Sequence, residues 1–107
     1  MTGLTDEQTA VCDVAQTALQ RFGAGEGSWA VIVARAGTRC LVPVTVGPDG
    51  GPLLTVGGDI VEQVQPTPSD WDLAVRKAGY RPSDPYGDGR MRWHAGSGGT
   101  WLGQVVR

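Results

Sequence analysis

Residues 29–34 read "WAVIVA". Six apolar residues in a row, with Val31, Ile32 and Val33 at the centre, suit a pleated strand. Side chains alternate along a strand, so Trp29, Val31 and Val33 share one face and Ala30, Ile32 and Ala34 the other. Both faces are apolar. A sheet covered on one side only shows polar residues on its outer face. This strand therefore calls for cover on both sides. Two arrangements meet that demand: the chain's own helices on opposite faces, or a second copy or another protein on the face the helices leave open.

The flanking sequence supplies two helices. Over residues 5–22, Val11, Val14, Ala15, Ala18, Leu19 and Phe22 recur at helical spacing and form one apolar stripe. Thr5 followed by Gln8 makes a capping-box pattern, Asp6 and Glu7 suit the positive end of the helix, and Gly23 can close it in the left-handed conformation. The second helix is predicted over residues 67–79. Thr67, Pro68 and Asp70 combine three start signals, Trp71, Ala74, Val75 and Ala78 form its apolar face, and Gly79 with Tyr80 supplies the stop.

Strands occupy the rest. "RCLVPVTV", residues 39–46, places Cys40, Val42, Val44 and Val46 on one face, and Pro43 predicts a sheet edge or a bulge. "GPDGG" is a turn, and "PLLTV" is a third strand. "IVEQV", residues 60–64, reads equally as a fourth short strand or a continuation of the third. The last segment, "GRMRWHAGSGGTWLGQVVR", reads as a β-hairpin over residues 90–106: a strand at 90–95, a turn at "GSGG" and a strand at 100–106. The expected fold is a single α+β domain over residues 1–107. Its antiparallel sheet lies within residues 29–65 and 90–106, in the order α-β-β-β(β)-α-β-β. That order resembles the topology of secretion-chaperone-like folds, which implies dimerisation and apolar surfaces that hold client segments. No motif carries the resemblance.

Composition narrows the function classes. The chain has 107 residues and a formal net charge of −2, which rules out a polycation that binds phosphate by field alone. The charge is uneven. Residues 1–70 hold three arginines against eight acids, and residues 71–107 hold six basic residues against three acids. Lys77 is the one lysine beside eight arginines, and asparagine is absent, a pattern expected of a high-GC bacterial genome. No N-terminal leader pattern is visible, and no apolar run approaches the roughly 18 residues of a membrane span, so a cytoplasmic location without membrane association is expected.

Specific chemistries find little support. "GSGGT" at 96–100 lacks the lysine of a phosphate loop. His94 is the only histidine, and Cys12 and Cys40 are far apart in sequence, so no metal pattern forms. Cys12 sits mid-helix and Cys40 on an apolar strand face, where a thiol is unreactive. Double-stranded RNA binding domains are similar in topology, but they carry lysines at the start of the second helix, where this chain has Asp70 and Asp72. No cofactor and no catalytic residue is therefore expected.

Three functional readings remain, in order of preference. The first is a non-catalytic protein-binding accessory domain, acting through a homodimer or a heterologous partner, with Trp29, Leu41, Trp71 and Trp101 as its apolar anchors. The second is a nucleic-acid-binding or regulatory protein using Arg76, Lys77, Arg81, Arg90, Arg92 and His94. In a strand at 90–95 the last three share one face, opposite Met91 and Trp93. The third is a small enzyme with an unrecognised site.

Overall fold

The computed structural model describes residues 6–35, 37–48, 54–56 and 67–106. Helix α1 spans Asp6–Phe22. Strands β1 (Gly27–Arg35), β2 (Thr38–Val46) and β3 (Leu54–Val56) follow, then helix α2 (Pro68–Lys77) and strands β4 (Arg81–Pro82), β5 (His94–Ala95) and β6 (Trp101–Val106). The sheet is antiparallel in the order β3-β2-β1-β6-β4, and β5 also pairs with β6. The expected α+β class and element order are present. The Thr5 cap, the turn residues 49–51 and the candidate strand at 60–64 lie outside the described residues.

β1 is the central strand. Val31 pairs with Val42 of β2 on one side and Leu102 of β6 on the other. Its two apolar faces feed two separate cores. Trp29, Val31 and Val33 pack with Val42, Val44, Leu102 and the α1 stripe of Val11, Ala15, Ala18 and Leu19. Ala30 and Ile32 pack with Leu41, Val105, Met91, Tyr80 and the inner residues of α2, Trp71 and Val75. The helices therefore lie on opposite faces of the sheet, the first of the two arrangements the strand allows. Burying each valine, leucine, isoleucine or methionine among these contributes about 1.5–3 kcal/mol, so neither face could stay bare without a large loss.

Both helices stop by the same device. After α1, the Gly23 N–H reaches Gln20 O at 3.2 Å and the Ala24 N–H reaches Leu19 O at 3.1 Å. After α2, the Gly79 N–H reaches Arg76 O at 3.0 Å and the Tyr80 N–H reaches Val75 O at 3.1 Å. Gly23 at φ 77° and Gly79 at φ 91° supply the left-handed residue this closure needs. Tyr80 then packs on Val75 in the α2-side core, which aims the chain along the sheet. At its start, α2 departs from the expected cap. The Thr67 hydroxyl donates to the Asp70 carboxylate and makes no cap bond to the backbone.

Pro43 lies at a sheet edge among the described residues, as its missing N–H predicts: β3 pairs with β2 only over Val44–Val46, and from Thr38 to Pro43 β1 is the sole described neighbour. One further expectation is corrected: the C-terminal hairpin is shorter than predicted. Only His94 and Ala95 pair with β6, opposite Leu102 and Trp101. The outer edge near the end of β6 is taken by β4, with Arg81 opposite Val106 and Pro82 opposite Val105. Between these short strands the chain leaves the sheet plane, and the Met91 side chain lies over Gly103. A Cβ at Gly103 would stand 2.1 Å from Met91 Cε and 3.2 Å from the Arg92 carbonyl oxygen. The "GSGG" turn is a short 3-10 turn, Ser97–Gly99, closed by the Gly96 N–H on Thr100 O at 2.9 Å.

Gly103→Ala is expected to destabilise the domain by about 1–3 kcal/mol, because backbone as well as a methyl group must shift. Gly87→Ala, where an added Cβ meets nothing within 4 Å, should stay within about 0.5 kcal/mol of the parent. Urea unfolding of the two variants measures the contrast.

Candidate functional site

α2 has 10 residues, and among them only Trp71 and Val75 are fully buried. That is too narrow a face to cover its side of the sheet alone. The loop between β4 and β5 completes the cover, and Asp72 fastens it. One carboxylate oxygen of Asp72 accepts the Met91 backbone N–H at 3.0 Å, and the other accepts the Trp93 indole N–H at 2.7 Å. The two bonds hold Met91 down in the core and stand Trp93 against Trp71. The Trp71 and Trp93 rings meet edge to face, with centroids 5.5 Å apart at 81°, and the Trp101 ring lies 6.0 Å from Trp71 at 41°.

The loop is also held from outside. Arg76 of α2 donates from Nη2 to Gly89 O at 3.2 Å. Asp88 accepts from Arg90, at 3.1 Å from the backbone N–H and at 2.6 Å from Nε. The backbone bond first, then the guanidinium, holds the Asp88 carboxyl below its ordinary range. Any stabilisation from Asp88 is therefore present at neutral pH and is lost only as pH falls through that depressed folded-state pKa. Arg92 donates to Asp84 O at 3.0 Å, and its guanidinium lies 4.4 Å from the centre of the Tyr86 ring. Arg90 approaches the same ring at 5.7 Å.

Between α2, this loop and β6 remains a cleft of about 230 Å³, lined chiefly by Trp71, Asp72, Tyr86, Arg90, Trp93 and Trp101. Trp71 is its floor, 4% exposed, while Trp101 at 39% and Tyr86 at 43% remain open to solvent. Small-molecule and cofactor sites usually enclose about 300–1,000 Å³. This cleft is smaller and suits one or two side chains. Its wall chemistry is aromatic, with one cation at the rim and one carboxylate whose two oxygens each already accept a bond.

The structure distributes the expected anchors unevenly. Trp71 and Trp101 come together in the cleft. Trp29 lies in the α1-side core, its indole N–H bonded to Gly25 O at 3.0 Å, and Leu41 is buried beneath α2. Tyr86, Trp93 and Asp72 are cleft residues that sequence reasoning did not assign to a site. Arg90, Arg92 and His94 do not share a face. Residues 90–93 are not a strand, so alternation fails there. Arg90 lines the cleft, whereas Arg92 and His94 line a separate recess of about 100 Å³ with Trp29, Asp84 and Gln104. His94 stacks at 5.5 Å on Phe22, at the end of α1. Lys77 and Arg81 are exposed.

Cys12 and Cys40 are buried, and burial, reinforced by the charge of Asp13, pushes the Cys12 thiol up. Among the described residues no group of three or more His, Cys, Asp or Glu side chains is placed to hold a metal ion, and no helix is long and apolar enough to cross a membrane. No protein-family model, curated protein or solved structure gives a significant match to this chain.

Asp72→Ala strips two donors of their acceptor. It should cost about 1–3 kcal/mol in urea unfolding and shift tryptophan emission to the red as Trp93 loosens. Asp88→Asn weakens only a solvent-exposed pair and should leave the urea midpoint at that of the parent.

Proposed function

We propose that this protein is a non-catalytic binding domain that docks an extended segment of a protein partner in the cleft of Trp71, Tyr86, Trp93 and Trp101. The observation that carries this is the exposure of Trp101 and Tyr86 over a buried tryptophan floor. Large aromatic side chains left half open beside a desolvated pocket are the usual energetic centre of a protein contact. The volume favours side chains over a cofactor, and Arg90 at the rim favours an acidic residue in the segment. The basic surplus of residues 71–107 adds a longer-range attraction of the same sign.

Arginine readout of nucleic acid has less support. Single-strand binders set exposed aromatics in a basic groove free to meet phosphate. Here Arg76 and Arg92 already donate to carbonyl oxygens of the loop, so of these three arginines Arg90 alone lines the cleft with an open side chain.

Affinity purification from the source organism, with the parent chain and two variants as bait, tests the proposal. A partner retained by the parent and by Leu73→Ala, on the exposed side of α2, should be lost with Trp101→Ala. A partner retained equally by all three baits places the contact elsewhere. Binding to single-stranded oligonucleotides that weakens with salt and with Arg90→Ala would replace the protein reading by the nucleic-acid one.

A further inference from the structure

Resting on the cleft as the docking surface, we infer that its occupant is a proline-bearing extended segment of the partner, with an acidic residue beside the proline. Three properties of the cleft lead there. Its walls are aromatic and set at steep angles, Trp93 at 81° and Trp101 at 41° to Trp71, so they form a corner rather than a flat stacking platform. A flat base slides between parallel rings, whereas the compact pyrrolidine ring seats in a corner. Proline-rich segments are recognised in aromatic-lined grooves of this kind, and their extended helix is formed before binding, so little ordering entropy opposes docking.

The second property is the hydrogen-bond character of the lining. Asp72, the only carboxylate among the described lining residues, already accepts from Met91 and Trp93, and the Ser69 and Tyr86 hydroxyls are the other side-chain acceptors. Proline lacks the N–H and asks nothing of these few acceptors. An ordinary residue seated against the tryptophans would compete for them, and an unmet buried donor is costly.

The third property is charge. Arg90 is on the rim with a side chain 72% exposed, and its Nε donates to Asp88. A carboxylate one to three residues from the docked proline reaches it.

The test is selection of a random twelve-residue peptide display library on the parent protein, with removal of every clone that binds Trp101→Ala. Circular dichroism confirms that the variant is folded. The expected result is enrichment of peptides carrying proline with Asp or Glu within three residues. A synthetic peptide of the enriched sequence should bind at least about tenfold more weakly after its proline is changed to alanine. Arg90→Gln should weaken it further at low salt than at high salt. Enriched, Trp101-dependent peptides without proline would overturn this inference and leave the docking surface standing. Failure to enrich any Trp101-dependent peptide would overturn both.

Discussion

A strand that is apolar on both faces has to be covered twice, and in this chain β1 imposes that requirement on everything else. One side is met simply. The 17 residues of α1 are enough to lay Val11, Ala15, Ala18 and Leu19 along Val31, Val42 and Val44. The other side is harder, because α2 is shorter and starts with acids. There the protein uses bulk in place of length, with Trp71 on the helix and Met91 and Trp93 brought over from the loop. A side chain packed from a loop needs a fixed backbone, and Asp72 provides it by bonding one main-chain and one side-chain donor of that loop.

The cleft follows from this division. Helix, loop and strand meet at the start of α2 without filling the corner between them, and the residues that border the corner are those large enough to have reached it. Aromatic character, small volume and partial exposure are thus consequences of the packing solution on one face of the sheet. The same solution explains why Arg90 and Arg92 of the loop line different recesses rather than one strand face. They brace the loop against Asp84, Asp88 and the Tyr86 ring, and a braced guanidinium with one rim-facing member is a positioning feature as much as a charge.

Much of the fold was legible in the sequence, for reasons that are local. Helical spacing gave α1, punctuation by Thr67-Pro68 and Gly79 gave α2, and the unbroken apolar run gave the two-sided strand. The site was only partly legible. Trp71 and Trp101 stood out by size, but their neighbours depended on a loop whose path is set by contacts far apart in sequence. Asp72 to Trp93 spans 21 positions. Alternation assigned Arg90, Arg92 and His94 to one face because it assumed a strand. Gly103 is the residue that defeats that assumption, since it makes room for Met91 to lie on the sheet and lets β4 occupy the strand edge beyond. An acid at the start of a helix, read locally, suits the helix dipole. Only the three-dimensional path shows that Asp72 also serves as the fastening of the second core.

Hydrogen exchange at the indole N–H groups tests this account most directly, because each tryptophan gives a separate proton signal. Trp93, bonded to Asp72, and Trp29, bonded to Gly25, should exchange slowly, while Trp101 at the mouth of the cleft should exchange near the rate of free indole. In Asp72→Ala the Trp93 signal alone should join Trp101 in the fast class. A Trp93 proton that exchanges fast in the parent protein, or stays slow after Asp72→Ala, would contradict the claim that this carboxylate builds the cleft.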